Sequence, residues 1–272
     1  YLYHDGGLRR APTSLKSSVT TDLLSLRGKL RVLAEPFTSP PRPTETVGSY
    51  LRRAFGTEVT ERFVGPLYAG LYGSDPDEMY VRHSFGKALE RLGSPKSLLA
   101  AALRHRLGDR DVPPVVSFEG GLQELAIGLA DCYAARINLG TPVTAVERTG
   151  GAEETFRMCT ETEERIVDDV VFTTPAGVTA TLLQGVAPDA AAALEGLQYN
   201  PLAVVHLVAD GGLDAAGYQV AFGESLDTLG VTSNHGLFGR DGLHTCYLGG
   251  SQHPHLLDET EEEIGERAAE VA

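Results

Sequence analysis

Four short apolar segments in the last third of the chain decide its fold: PLAVVHLVAD (201–210), GYQVAFG (217–223), TLGVTSN (228–234) and LHTCYLGG (243–250). Each contains β-branched or aromatic residues and is bounded by Gly, Pro, Asn or Asp, as strands are. Their spacing of roughly 10 to 18 residues predicts a mixed or antiparallel sheet. The acidic segment that follows, Glu259 to Ala272, predicts a terminal helix.

The N-terminal part of the chain predicts a β-hairpin and then a helical region. In YLYHDGGLRR (1–10), two alternating runs flank a Gly-containing turn, because glycine tolerates the positive φ that tight turns require. From Leu26 to Arg104, apolar residues recur three and four positions apart, which predicts helices. The helical segments are SLRGKLRVLAEPF (25–37), TVGSYLRRAFG (46–56), EVTERFVGPLYAGLYG (58–73), VRHSFGKALERLG (81–93) and SPKSLLAAALRHRLG (94–108).

The middle of the chain, after the polar linker LGDRDVPP (107–114), mixes strands and helices. We expect a short strand at VVSF (115–118), a Gly-Gly turn and a helix from near Leu122. We expect three further β segments and a helix over Ala176 to Leu183, a succession typical of α/β proteins. The β segments are TPVTAVERT (141–149), ETFRMCTETEE (154–164) and RIVDDVVFTTP (165–175).

Composition limits the classes of partner and the compartment. The 272 residues carry 37 acidic and 23 basic side chains, a formal net charge of −14, so we expect no nucleic-acid partner. The three cysteines form no CxxC pair, which fits a reducing compartment and predicts a cytoplasmic protein. No apolar run is long enough to predict a transmembrane helix. The chain starts without Met inside a predicted strand and ends inside a predicted helix, so we interpret it as an internal piece of a longer protein.

Residue patterns alone identify no catalytic group. G-x-G-x-x-G, H-E-x-x-H and G-x-S-x-G are all absent, so neither a nucleotide site, a metal site nor a serine nucleophile is predicted. The Gly120-Gly121 pair is explained by a strand-to-helix turn. His206 lies within an apolar strand, where a hydrogen-bonded structural role is the simpler interpretation and a cavity-facing role is the alternative. We predict no metal ligand and no catalytic residue.

Read as an ordered series, the segments resemble those of the protoporphyrinogen/coproporphyrinogen oxidase family within the amine-oxidase-like flavoproteins. The longest match is LRRAFGTEVTERFVGPLYAGLYGSDPDEM (51–79). Further matches along the chain are YLYHDGGLRRAPTS, SFEGGLQEL, LGTPVTAVER, VVFTTPA, LGVTSNHGLFGRDG and CYLGGSQHP.

The resemblance implies a fold class of α/β with α+β character. A partial Rossmann-like FAD domain would accompany a mixed-sheet substrate domain with a helical insertion. The implied division is a substrate-domain hairpin at 1–21, a helical and potentially membrane-facing domain at 22–110, part of the FAD domain at 111–190, and the substrate sheet with the terminal helix at 191–272. The family's dinucleotide motif would lie before Tyr1 and its flavin-ring segment after Ala272, so this chain alone is expected neither to retain FAD nor to turn over.

Seven site residues follow from the resemblance. Val143 would offer backbone groups to the FAD adenine, and Thr174 with Pro175 would lie near the dinucleotide. The porphyrinogen would contact the four positions Gly70, Ala221, Thr232 and Tyr247. Ala221 and Thr232 stand where the family usually has bulkier, Leu-like residues, and the propionate-binding Arg of some members would precede Tyr1.

The implied activity is oxidation of protoporphyrinogen IX or coproporphyrinogen III to the porphyrin in haem biosynthesis, with FAD as cofactor and O₂ as acceptor. Two alternatives stay open: another amine-oxidase-like flavoprotein, such as a carotenoid desaturase or polyamine oxidase, and a porphyrin-binding module without redox chemistry. Peripheral contact of the helical region with the inner membrane, and a homodimer, are also left open.

Overall fold

We describe a computed structural model that covers residues 1–12, 17, 20–84, 86, 96–101, 115–150, 155–209 and 213–271. Short 3₁₀ turns lie at Glu35–Phe37, Val81–His83, Ala134–Arg136 and Pro254–Asp258. The helices are α1 (Leu26–Leu33), α2 (Val47–Phe55), α3 (Thr57–Val59), α4 (Gly65–Tyr72), α5 (Gln123–Cys132), α6 (Ala176–Leu183), α7 (Pro188–Glu195), α8 (Asn234–Phe238) and α9 (Glu261–Val271).

The strands form two sheets in the described part of the chain. One has six strands in the order β2-β1-β7-β8-β9-β6, and the other has three in the order β3-β4-β5. The strands are β1 (Leu2–His4), β2 (Gly7–Arg9), β3 (Val143–Arg148), β4 (Phe156–Thr160), β5 (Glu164–Val167), β6 (Leu202–Val208), β7 (Gly217–Val220), β8 (Thr228–Ser233) and β9 (Leu243–Gly249).

The N-terminal hairpin joins the large sheet through a parallel contact. Asp5 and Gly6 form its turn with φ of 51° and 70°, the positive values that a two-residue hairpin turn requires. Its first strand, β1, then runs parallel to β7, whereas the other neighbours in this sheet are antiparallel. The mixed sheet predicted from the last third of the chain is therefore confirmed and is extended by residues at the N-terminus.

Helix α9 covers one face of the six-stranded sheet. Val231, Cys246 and Leu248 point to this side and are 5%, 0% and 1% exposed, and they form one cluster with Ala268 of α9. Tyr218 also points to this side, where its hydroxyl donates a hydrogen bond to the carbonyl of Val271. The C-terminal helix predicted from sequence is thus fixed by apolar packing and by a side-chain contact at its last turn.

The helical region packs on the opposite side of β7. A π-helical turn, Thr60–Val64, links α3 to α4, and the Glu61 carbonyl accepts a hydrogen bond from the Phe222 amide just after β7. Glycine permits close approach here: a Cβ on Gly65 would lie 2.7 Å from the Phe222 ring. At the far end of α4, the Gly73 carbonyl accepts a hydrogen bond from the Ser251 amide.

Two compact units divide the chain, one made of Tyr1–Pro114 with Asn200–Ala272 and the other of Val115–Tyr199. In the second unit, α6 packs against both α7 and β3, and the buried apolar side chains of this unit include Val146, Ala180 and Leu182. Helix α5 has no buried residue. The finer four-part division expected from the family resemblance stays a prediction.

The predicted helices over 25–37, 46–56 and 58–73 are confirmed, with Thr46 as the N-cap of α2. Most of the two helical segments at 81–93 and 94–108, and the linker at 107–114, lie outside the described residues. The strand expected at 115–118 is wrong, because no described strand pairs with this segment. The segment RIVDDVVFTTP forms ladder pairs only as far as Val167, and helix α7 was missed, although Pro188 at its first turn before an Ala run is a start signal.

No helix among the described residues is long and apolar enough to cross a bilayer.

Candidate functional site

The side of the six-stranded sheet away from α9 is the candidate site, and we call it the open face. Because side chains alternate along a strand, the neighbours of the α9-facing residues point to this side. Two cross-strand rows follow from the register, the first through Gln219, Gly230, Tyr247 and Val204 and the second through Gly217, Thr232, Thr245 and His206. Helix α4 lies beside the first row.

Hydroxyl and amide groups line the second row. Asn234 donates a hydrogen bond from Nδ2 to the Thr245 hydroxyl over 2.8 Å, and His206 Nδ1 lies 3.1 Å from the same oxygen. The Thr232 hydroxyl lies 3.5 Å from that of Tyr247, so two of the predicted substrate positions meet. His206 is hydrogen-bonded, as the simpler interpretation expected, and it also lies on the exposed side of the sheet.

Gly70, a third predicted substrate position, lies against β7. A Cβ at this position would be 1.7 Å from Gln219 Oε1 and 2.5 Å from its Cδ. The carboxamide of Gln219 therefore occupies the space beside Gly70. Sequence reasoning missed Gln219. The signal was alternation along β7, because Tyr218 points toward α9 and its neighbour Gln219 therefore points to the open face.

Ala221, the fourth predicted substrate position, lines a cavity of about 250 Å³ in the same unit. Ala69 of α4 and His253 lie on other walls of this cavity. Burial lowers the pKa of His253, although nearby Asp227 opposes the change. The volume is below the 300 to 1,000 Å³ of ordinary ligand pockets, so this cavity by itself is too small for a large ligand.

A histidine and two carboxylates meet at the edge of that cavity. His4 Nδ1 lies 2.9 Å from Glu224 Oε1, and the Asp5 amide donates a hydrogen bond to the same oxygen. Burial alone would raise the pKa of Glu224, but hydrogen bonds from the Asp5 amide, the His4 side chain and the Gly6 amide together outweigh it and lower that pKa. The contacts connect the hairpin turn to the segment after β7, and sequence reasoning singled out none of the three residues.

The three predicted cofactor positions lie in the second unit. Val143 begins β3, an edge strand whose register shifts between Val143 and Ala145, so Thr144 is left outside the ladder. Backbone groups on the free side of β3 have no partner strand among the described residues, which fits recognition of adenine through the backbone. Thr174 and Pro175 are exposed directly before α6, where the Thr174 hydroxyl lies 2.7 Å from that of Thr179.

Curated relatives include plant protoporphyrinogen oxidases and bacterial coproporphyrinogen III oxidases. Protoporphyrinogen oxidase 1 of Spinacia oleracea is 28% identical over 98% of this chain, which spans 54% of that protein's length. Coproporphyrinogen III oxidase of Staphylococcus aureus is 27% identical over 64% of this chain and 40% of its own length. The resemblance to porphyrinogen oxidases is thus confirmed, and the chain spans about half the length of the plant relatives.

Solved structures show the same fold. An Exiguobacterium sp. 255-15 protein with a provisional designation as a protoporphyrinogen oxidase has a TM-score of 0.78 at 22% identity, over 98% of this chain and 62% of its own. Cyclohexylamine oxidase of Brevibacterium oxydans has a TM-score of 0.58 at 15% identity, over 98% and 60%. These likenesses confirm the expected FAD amine-oxidase fold class.

The family model of flavin-containing amine oxidoreductases matches residues 1–271. A flavin-containing family confirms the FAD cofactor expected from the resemblance. With nearly every residue inside the match, this chain belongs to the family of flavin-containing amine oxidoreductases.

Proposed function

We propose that this chain is part of an FAD-dependent porphyrinogen oxidase, which converts protoporphyrinogen IX or coproporphyrinogen III to the porphyrin with O₂ as acceptor. The observation that carries the proposal is the open face itself. It combines an exposed apolar strand, an aromatic side chain and a few hydroxyls, the lining expected for a large and mostly apolar ring system. The porphyrinogen oxidases among the relatives support the same substrate class.

The chain's own residues would bind and orient the two partners. Porphyrinogen loses six electrons and six hydrogens on becoming porphyrin, and bound FAD supplies the hydride acceptor for these steps. Val143 would hold the adenine through its backbone, with Thr174 and Pro175 near the dinucleotide. Tyr247 and Thr232 would face the tetrapyrrole, with Ala221 and Gly70 at its margin.

The direct test uses the complete protein that contains this chain, loaded with FAD and given each porphyrinogen under air. We expect porphyrin fluorescence to appear together with hydrogen peroxide. Peroxide released from polyamines without porphyrin formation would instead favour an amine oxidase. Porphyrin binding without bound flavin would favour the non-redox module. A flavin absorbance band that co-purifies with residues 1–272 would contradict our expectation that this piece alone does not retain FAD.

Helix α1 supports a second part of the proposal, peripheral contact with a membrane on the cytoplasmic side. One side of α1 and the turn after it exposes Leu26, Leu30, Leu33 and Phe37, with exposed fractions of 75%, 59%, 64% and 92%. Arg27 and Lys29 neighbour this stripe. Exposed apolar side chains beside basic residues are typical of helices that lie on anionic lipid.

Co-sedimentation with phosphatidylserine vesicles tests this contact. We expect the combined change Leu30→Ser and Phe37→Ser to reduce the bound fraction severalfold, with Leu8→Ser on the exposed hairpin as the matched control. Equal sedimentation of all three proteins would exclude the α1 contact. The homodimer that the sequence leaves open is tested by measuring the mass of the protein in the same buffer without vesicles.

A further inference from the structure

The carboxamide of Gln219 lies directly beside Gly70, a position at which the family resemblance implies contact with the substrate. Its Oε1 and Nε2 would lie 1.7 Å and 2.9 Å from a Cβ at position 70, so the amide rests against the helix backbone. Oε1 would also lie 3.2 Å from a Cβ on Gly230 of the neighbouring strand. Because Gly70 and Gly230 have no side chains, the Gln219 amide fits into the space between them.

Gln219 Oε1 is buried and has no hydrogen-bond donor within the described part of the chain. A carbonyl oxygen withdrawn from water loses its solvation without a replacement, which makes such a group unusual in a folded protein. Rotation of the terminal amide about its last side-chain bond would move this oxygen away from the Gly70 backbone. An arriving N–H donor would then restore the missing hydrogen bond.

The position of Gln219 makes it central to the predicted substrate contacts. It precedes Ala221 by two residues, so both point to the same side of the chain. It also begins the cross-strand row that leads through Gly230 to Tyr247, beside Thr232. Of the four predicted positions, Gly70 thus lies against this amide, and Tyr247 lies in the same cross-strand row.

We propose that Gln219 is a specificity-determining residue whose Oε1 accepts a hydrogen bond from the inner pyrrole N–H groups of the substrate. This inference rests on the proposed porphyrinogen oxidase function. A porphyrinogen carries four such N–H donors, the porphyrin product carries two, and a zinc porphyrin carries none. An acceptor at this position consequently favours substrate over product and free porphyrin over zinc porphyrin.

The test compares wild type with Gln219→Leu, which keeps a similar volume and removes the acceptor, and with Gln219→Glu, which retains an acceptor. In the complete, FAD-loaded protein, we expect Gln219→Leu to raise KM for porphyrinogen about five-fold, the effect of one net hydrogen bond, with a smaller change in kcat. Gln219→Glu should retain most of the wild-type KM. If Gln219 had only a structural role, the Leu variant would show a lower unfolding midpoint without a selective rise in KM over the change in kcat.

A binding measurement separates this inference from the proposed function. Fluorescence quenching gives Kd for free protoporphyrin and for zinc protoporphyrin in each variant, independently of turnover. We expect Gln219→Leu to weaken the free porphyrin only, and equal effects on both ligands would overturn the inference. A wild-type protein that binds both porphyrins without oxidising porphyrinogen would overturn the proposed function instead, whereas one that binds neither would overturn both.

The packing part of the inference has its own check. We expect Gly70→Ala to displace the amide and lower the unfolding midpoint, and Gln219→Gly to relieve that loss in the double variant. Additive effects of the two changes would show that the amide does not occupy the space beside Gly70.

Discussion

The two faces of the six-stranded sheet differ in what covers them. Toward α9, Cys246 and Leu248 are almost completely buried, and burial raises the pKa of the Cys246 thiol to about 11. On the open face, Val204 and Val208 of the neighbouring edge strand β6 are 49% and 82% exposed, whereas Thr245 on β9 is 6% exposed. Alternation along the strands therefore puts the apolar core on one side of the sheet and, at the edge strand β6, leaves apolar side chains exposed on the other.

Truncation on the covered face has the largest expected effect. Leu248→Ala removes a side chain that packs against Val231 and α9, and we expect it to lower the free energy of unfolding by about 2 to 5 kcal/mol. Its matched control is Val204→Ala on the open face, expected to change stability by less than about 0.5 kcal/mol. Urea unfolding of both variants measures the difference, and equal losses would mean that the open face is covered in solution.

Two tyrosines, one on each face of the sheet, allow the same comparison with a smaller expected change in stability. Tyr218 donates a partly buried hydrogen bond to the Val271 carbonyl, and burial raises its pKa to about 12, whereas the hydroxyl of Tyr247 lies 3.5 Å from that of Thr232. We expect Tyr218→Phe to cost about 1 kcal/mol of stability. Tyr247→Phe should leave stability nearly unchanged and raise KM for porphyrinogen in the complete protein. A loss of stability in Tyr247→Phe and a raised KM in Tyr218→Phe would contradict the roles that we give to the two faces.

The smallest expected effect lies at the sheet edge, where Glu224 accepts the Asp5 amide hydrogen bond and contacts His4. Because the folded state lowers the pKa of Glu224 from its ordinary value of 4.5, the ionised carboxylate stabilises the fold above about pH 4.5 and this stabilisation is lost as the pH falls.

Glu224→Gln should therefore reduce stability by at most about 1 kcal/mol at pH 7. The difference from wild type should shrink as the pH is lowered through the acidic range. Urea midpoints at several pH values measure this, with the exposed Glu266→Gln as control. A difference that persists unchanged at low pH would show that packing, rather than the charge, produces the effect.

Secondary structure was predictable where local signals were strong. Thr46 before a 3.6-residue apolar period, Asp5-Gly6 between alternating runs and the β-branched segments of the last third all formed the predicted elements. The segment at 115–118 failed because a strand exists only through its partner, and an apolar run does not specify one. The π-helical turn at Thr60–Val64 contacts the segment after β7, and no local pattern predicted this turn.

The candidate site was predictable only by resemblance. Thr232 and Tyr247 come together because of the register between β8 and β9, and the sequence does not specify this register. The surroundings of Gly70 were not predictable, because the amide that fills the space beside it belongs to Gln219, 149 positions away in the sequence. The roles of Val143, Thr174 and Pro175 toward FAD stay predictions.

The amino-acid sequence by itself determined the strand and helix segments, the acidic charge and the flavoprotein family, because apolar periodicity, turn residues and ordered motifs are properties of neighbouring positions. Tertiary structure alone decided which face of the sheet α9 buries, how the N-terminal hairpin joins β7, and which polar groups meet on the open face. These depend on strand register and on the space left between packed backbones, and both arise from residues far apart along the chain.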